Sequence, residues 1–402
     1  MKTKVSKLDF YKKAEDIFEC YKNEPMAVFL DSSLENQLGR YSVIGLKPYL
    51  ILKEEDGTFF ENGVQSQGTL EAALKEYLNQ YKEENPTSLP LISGAVGYFS
   101  YDYGRKFEKI ESRHGKKLNM PEALFVFYDF FIIEDKLEKA LYLTARGETE
   151  DADSGMQRLE EEIRSCRTAE KPDKHGNLAS FVPNFSKEDY KQAIDQMISY
   201  IVEGDIYIAN MTQQLTINSK KEPYEVYRYL RTYNPAPFGG FFQCGDFQIV
   251  SASPERFMQV KDGTRKRGET EEEDARLKEE LRNSSKDRSE LLMIVDLERN
   301  DLNHICEPGS VCVTEHFAVE TYATVFHLVT TIVGKLRQGL SAVDLIPAAF
   351  PGGSITGAPK IRAMEIIDEL EHDRRNLYTG SMGYFSFDGN CDLNIVIRTA
   401  VH

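Results

Sequence analysis

The sequence predicts an α+β protein, and three patterns carry that reading: β-like runs separated by turns in the first third, amphipathic helical repeats further on, and a terminal hairpin signature. In the first third the β-like runs include 27–30, 49–53 and 125–133, with one helical stretch over 70–81. A charged helix is expected over 154–167. It gives way to 168–179, where Glu, Lys, Pro, Asp and Gly leave almost nothing apolar to bury. Ser186 reads as the N-cap of a helix reaching about Glu203, and Gly204-Asp205 turns the chain into an extended run over 206–217. A strand-like run over 238–253 follows, and the strongly charged 269–288 passes into a helix through Leu302. The last element is a hairpin, 381–387 against 393–401, folded at Asp388-Gly389-Asn390. The chain thus divides into an N-terminal region (1–150), a helix and polar connector (151–183) and a C-terminal region (184–402).

With 402 residues, 41% of them apolar and 28% charged, the chain has globular composition and room for one large or two ordinary domains. A net charge of -16 argues against a nucleic-acid surface. An anionic ligand must therefore find positive potential locally, at Arg, Lys, a helix N-terminus or a divalent cation. The six cysteines are scattered, without paired or zinc-finger spacing, and read as reduced core thiols. No run approaches eighteen apolar residues and 1–9 lacks the apolar core of a signal peptide, so a cytoplasmic protein with no membrane contact is expected.

Residues 350–360 read Phe-Pro-Gly-Gly-Ser-Ile-Thr-Gly-Ala-Pro-Lys and run into an amphipathic helix. Its apolar stripe is Ala363, Met364, Ile366, Ile367 and Leu370; Glu365, Asp368, Glu369 and Glu371 make a polar side, and Arg374 and Arg375 follow. Gly352, Gly353 and Gly357 can adopt φ > 0 and admit a ligand to the backbone, while Pro359 suits a first helical turn. Hydroxyls and backbone amides at a helix N-terminus form anion-binding architecture, or equally the plain cap of a core helix.

Asp287 and Glu290, three apart on the expected helix, share one face; such a pair either holds Mg²⁺ or is a solvated helix side. Glu255, in Ser253-Pro254-Glu255-Arg256-Phe257, reads as a general acid if burial raises its pKa, or else as a loop glutamate. His327 lies among Val325, Phe326, Leu328 and Val329, as a satisfied core histidine or a site residue. On the last strand Leu393, Ile395 and Ile397 share one face and Arg398 points to the other, where it needs a carboxylate partner from protein or ligand. The Tyr378 hydroxyl, just before Gly380, either orients a ligand or serves the fold.

Together and in this order, these segments resemble the chorismate-utilising enzymes. The resemblance covers nearly the whole chain. It rests on Gly204-Asp205-Ile206-Tyr207, Ser253 to Phe257, Lys286-Asp287-Arg288 through Asp301, the 350–371 loop and helix, and Asp392 to Thr399. It implies large, mostly antiparallel sheets forming a sandwich core with helices packed outside. It also implies Mg²⁺ bound by Glu290 with Asp287 near it, Glu255 as proton donor to the departing 4-hydroxyl, and His327, Tyr378 and Arg398 lining the pocket. Arg398 would meet a chorismate carboxylate, and Ser354, Thr356 and the amides around them would add hydrogen bonds. Pro351-Gly352-Gly353-Ser354, with 38–42 and 94–99, looks like the branch that makes 4-amino-4-deoxychorismate for 4-aminobenzoate, with ammonia from a glutamine amidotransferase subunit. The anthranilate branch is the alternative, and an inactive chorismate or tryptophan binder a further one.

Two departures accompany the resemblance. Asp262-Gly263 meets Thr264-Arg265-Lys266-Arg267-Gly268 directly where the family carries Pro-Ile-Lys-Gly-Thr, and the sequence given reaches only His402, before the family's glycine-rich strand and later glutamates. The catalytic region therefore reads as incomplete near 263/264 and after 402, and Lys266 is not assigned as a nucleophile. Ser32, Arg40, Tyr41, Pro237, Phe238 and Gly239 match the region where relatives hold tryptophan; ordinary turns account for them as well.

Overall fold

Strand Ala123–Asp135 is buried along all 13 residues, and the sheet is built outward from it. Its run of Phe, Val, Ile and Tyr favours extended backbone and tolerates cover on both faces. Antiparallel neighbours flank it, Gly94–Phe99 on one side and Tyr41–Glu55 on the other. From these the order extends in two directions. Beyond Gly94–Phe99 lie Ser381–Ser386, Cys391–Asn394 and Arg256–Val260; beyond Tyr41–Glu55 lie Val28–Asp31, Gly239–Gln243, Gln248–Ser251 and Thr399–Val401. The computed structural model describes residues 2–34, 38–172, 180–261, 285–321 and 326–402; the side chains at 285–287, 290, 320–321 and 326–327 also lie outside the described residues.

Side chains of the central strand divide among three apolar clusters. Leu124, Val126, Tyr128, Phe131 and Ile133 join one that includes Tyr98, Phe242, Met382 and Val396. Phe125 and Phe127 belong to a second with Phe99, Ile346, Phe350 and Phe385, while Phe130 and Ile132 belong to a third under the helices Ala14–Tyr21, Ala152–Ser165 and Pro223–Tyr233. The alternation changes parity at Asp129, whose carboxylate accepts the N–H groups of Gly147, Glu148 and Thr149. Phe18 ties the third cluster together, with ring centroids 5.1 Å from Phe29 and 5.5 Å from Tyr224. Burying one such ring contributes about 1.5–3 kcal/mol. The architecture is α+β: a large curled antiparallel sheet with helices packed outside it.

The curl follows from chain continuity. Gln248–Ser251 and Arg256–Val260 stand near opposite ends of the strand order yet are joined by four residues, and so are Cys391–Asn394 and Thr399–Val401. The two connections run side by side, with Ile395 N–H donating to the Glu255 carbonyl (3.0 Å) and Ala252 N–H to the Arg398 carbonyl (3.1 Å). The final strand expected over 393–401 is therefore broken. At Val396 the backbone bonds instead to the turn before Ser381–Ser386, N–H to the Gly380 carbonyl (2.9 Å) and carbonyl from Thr379 N–H (2.7 Å). Its polar groups stay satisfied without a ladder.

Elements expected from 1–150 and from 184–402 interleave in this sheet, since Gly94–Phe99 sits between Ala123–Asp135 and Ser381–Ser386. Other expectations meet the structure closely. The helix Lys187–Glu203 starts at Ser186, whose hydroxyl accepts Asp189 N–H (3.1 Å), and stops at Gly204 in the left-handed region, φ 89°. The expected runs over 206–217 and 238–253 each divide into two shorter strands. No described helix is long and apolar enough to cross a membrane.

Candidate active site

Around the seam of the sheet, four separated segments meet. The first is the glycine loop, stitched to the residues after Gly204-Asp205: Tyr207 N–H donates to the Ala358 carbonyl and Asn210 N–H to the Thr356 carbonyl, both at 2.8 Å. Gly357 lies so close to this neighbour that a Cβ would stand 2.2 Å from the Ile208 carbonyl oxygen. Gly357 also takes the expected positive φ, 155°, whereas Gly352 has φ -60°; close approach accounts for Gly353, whose Cβ would stand 2.5 Å from Leu297 Cδ2.

The anion-cradle expectation takes an unexpected form. Gly353 N–H donates to Glu298 Oε1 at 2.8 Å, so the carboxylate that this amide holds belongs to the protein. Burial pushes the Glu298 carboxyl above its ordinary value, opposed by Lys360. Lys360 itself is buried, with Nζ 2.5 Å from Asp301 Oδ2 and 3.2 Å from the Ala349 carbonyl. Thr356 is fully buried and donates its hydroxyl back to the Gly352 or Gly353 carbonyl (3.0 and 3.2 Å), which fixes loop shape, whereas Ser354 is exposed. The helix Lys360–Leu370 buries the expected apolar stripe, but Asp368 and Glu371 on its expected polar side are buried too. Asp368 meets Arg105 at 2.8 Å and Ser112 at 2.9 Å; Glu371 pairs with Arg375.

The second segment is the turn Ser253-Pro254-Glu255. Ser253 Oγ donates to the Ile395 carbonyl at 2.5 Å, which pins the turn to the broken strand and leaves Glu255 half-buried. Arg256 forks onto Asp392 at 2.8 and 2.9 Å, and Phe257 packs on Phe350 with centroids 5.9 Å apart, joining turn to loop. The third is the 376–380 turn. Tyr378 is 37% exposed; burial of its phenol raises the pKa against the pull of Arg375, and the Glu255 charge adds to the rise. The fourth is 395–398, where Arg398 lies off any ladder, exposed and at φ 52°, because the strand that would have carried it is interrupted. The segments that carry Glu255, Ser354, Tyr378 and Arg398 thus meet around one seam.

Asp287 and Glu290 fall in the helix Ser285–Asn303, and His327 in the strand Phe326–Val333 opposite Glu320; all three side chains lie outside the described residues. Among the described residues no group of three or more His, Cys, Asp or Glu is placed to hold a metal ion. The helix nonetheless reaches the loop, through Glu298 on Gly353.

The candidate tryptophan residues gather at another part of the sheet. Ser32 Oγ donates to the Pro237 carbonyl (2.8 Å), and Gly239 pairs with Asp31. Arg40 forks onto Asp135 at 3.0 and 2.6 Å and covers the Tyr41 ring at 4.9 Å. Phe238 links this region to the seam, its N–H donating to the Ser253 carbonyl (3.1 Å) and its ring lying under Arg256 at 4.7 Å.

Residues to which the sequence reading gave no site role hold these parts in place: Glu298, Asp301, Asn394 and Arg375. Asn394 accepts Met382 N–H (2.9 Å) and donates to the Phe238 carbonyl (2.8 Å). The i,i+4 spacing of Glu371 and Arg375 was the one available signal.

Comparison with known proteins agrees with this assembly of motifs. Aminodeoxychorismate synthase component 1 of Bacillus subtilis is 38% identical over 383 residues, covering 90% of this chain and 81% of that protein. Anthranilate synthase component 1 of Thermus thermophilus is 36% identical, covering 94% and 84% respectively. The fold superposes on anthranilate synthase component I from Streptococcus pneumoniae with a TM-score of 0.81 at 30% identity, over 92% of this chain and 85% of that one. The family pattern described as chorismate binding enzyme matches residues 27–402, a span holding every segment that meets at the seam, and the chain belongs to that family.

Proposed function

We propose that the protein aminates chorismate to 4-amino-4-deoxychorismate, on the route to 4-aminobenzoate and folate, with ammonia delivered by a glutamine amidotransferase subunit. The meeting of the segments that carry Glu255, Ser354, Tyr378 and Arg398 supports this reading: a cation, two hydroxyls and an acid are the groups a dianion would need there. The Pro351-Gly352-Gly353-Ser354 form of the loop supports the 4-aminobenzoate branch, as does the likeness to the Bacillus subtilis enzyme. The likeness to the Thermus thermophilus protein supports the alternative, an anthranilate synthase, to nearly the same degree.

In this reading Arg398 holds a chorismate carboxylate, and Ser354 and Tyr378 orient the ring by hydrogen bonds. Glu255 carries the proton that leaves with the 4-hydroxyl, from a half-buried turn pinned by Ser253. Thr356 acts indirectly by fixing the loop. Asp287 and Glu290 supply hard oxygen donors of the kind Mg²⁺ takes, and the cation, when bound, contributes positive charge opposite the carboxylates. His327 completes the pocket wall, and Ser32, Arg40, Tyr41, Pro237, Phe238 and Gly239 form the candidate tryptophan site. The protein works in the cytoplasm. Incubation with chorismate, Mg²⁺ and ammonium should yield a product that retains the pyruvyl group and gains nitrogen. Release of pyruvate with the fluorescence of anthranilate would establish the alternative.

A further inference from the structure

Arg375 is enclosed, with its side chain 1% exposed, so it cannot touch a ligand; yet it bonds to two of the segments around the seam and to the stretch stitched to the loop. Its Nη1 donates to the Ile355 carbonyl (2.7 Å) and to Thr379 Oγ1 (3.3 Å), and Nη2 donates to the Asn210 carbonyl. Nε and Nη2 grip Glu371 at 3.0 and 2.7 Å, so all five N–H donors are engaged. The guanidinium lies over the Tyr101 ring at 4.7 Å. Burial works against its charge, and Glu371, together with Tyr101 and Tyr378, more than offsets that. Glu371 in turn accepts the N–H (2.8 Å) and hydroxyl (3.0 Å) of Thr212. Two of the anchored residues adjoin proposed ligand contacts, Ile355 beside Ser354 and Thr379 beside Tyr378.

Thr379 supplies an independent observation. It has φ 60°, a conformation that a β-branched residue resists. Such a backbone persists only where its surroundings impose it. Here Thr379 N–H is held by the Val396 carbonyl (2.7 Å), and its hydroxyl accepts from Arg375 while donating to the Tyr378 carbonyl (2.6 Å). The chain of bonds from guanidinium to hydroxyl to carbonyl sets the peptide plane that follows Tyr378.

We infer that Arg375 and Thr379 are positioning residues that hold the Tyr378 turn and the Ser354 loop at a fixed separation. Substrate affinity depends on that separation more than folding does. The inference rests on the reading in which Tyr378 and Ser354 face chorismate, and it predicts a division of effects that a purely structural role would not give. Thr379→Gly relieves the backbone but leaves one buried Arg375 N–H without its acceptor, two effects of similar size and opposite sign, so its thermal midpoint should stay close to that of the parent while KM for chorismate rises at least tenfold. Thr379→Ser keeps the hydroxyl and should recover most of the affinity. Arg375→Lys keeps the charge but loses the fork; in the free full-length protein it should speed amide exchange jointly at 208–212, 353–356 and 378–380. A KM within twofold of the parent in Thr379→Gly, or faster exchange at 378–380 alone, would overturn the inference. Should Arg375→Lys fail to fold, the exchange comparison is made with Thr379→Gly. Absence of chorismate turnover in the parent protein would sink the functional reading, and the exchange data would still decide whether the two segments are coupled.

Discussion

The ammonium of Lys360 lies 2.5 Å from the Asp301 carboxylate, with the two side chains 8% and 9% exposed. A lysine beginning the helix behind a glycine loop would ordinarily be read as a contact for an anionic ligand. Here it joins the helix Lys360–Leu370 to the helix Ser285–Asn303. Removing it by Lys360→Met strands a buried carboxylate, so folding should weaken by about 3–5 kcal/mol. Adding Asp301→Leu should recover much of the loss; equal thermal midpoints for the single and double variants would count against the pair.

Glu298 gives a pH signature. Its folded-state pKa is raised by burial, so the native protein holds this proton more tightly than the unfolded chain does. The contribution is fully present below the ordinary carboxylate value and is lost as pH rises through the raised one. Glu298→Gln resembles the protonated form and can still accept Gly353 N–H. Thermal midpoints of parent and variant, measured from pH 4 to 8, should diverge in favour of the variant as pH rises. Parallel curves would remove Glu298 from this role.

Gly353→Ala places a Cβ 2.5 Å from Leu297 Cδ2 and 3.0 Å from Glu298 Oε1. The crowding should cost about 1–3 kcal/mol and loosen the loop, with KM for chorismate rising more than kcat falls. An unaltered KM would mean that the loop does not meet the substrate.

Much of this was legible in sequence because it is local. Ser186 and Gly204 bracket their helix, and Ala363 to Leu370 bury the stripe their spacing demands. What pattern reading missed depends on partners far along the chain. Arg398 looked like a mid-strand residue, because alternation from 393 to 401 cannot reveal that Val396 bonds to Gly380 and Thr379. Asp368 and Glu371 looked solvated until Arg105, Ser112, Thr212 and Arg375 were packed around them. The loop's amide looked available until Glu298 arrived from 55 residues away.

Metal dependence follows from the proposed pair. A chelator should abolish turnover and Mg²⁺ restore it, and Glu290→Gln should raise the Mg²⁺ needed for half-maximal rate at least tenfold. An unchanged requirement would exclude Glu290 as a ligand.

Glu255→Gln should lower kcat by about 10²- to 10⁴-fold, the range for losing a general acid, with the thermal midpoint little altered. A rate near that of the parent would move the proton donor elsewhere.

The most direct measurement is the mass of what the protein makes from chorismate, Mg²⁺ and ammonium. The account predicts an aminated product that keeps the pyruvyl group, lost in Glu255→Gln. Anthranilate with free pyruvate, or unreacted chorismate, would contradict it.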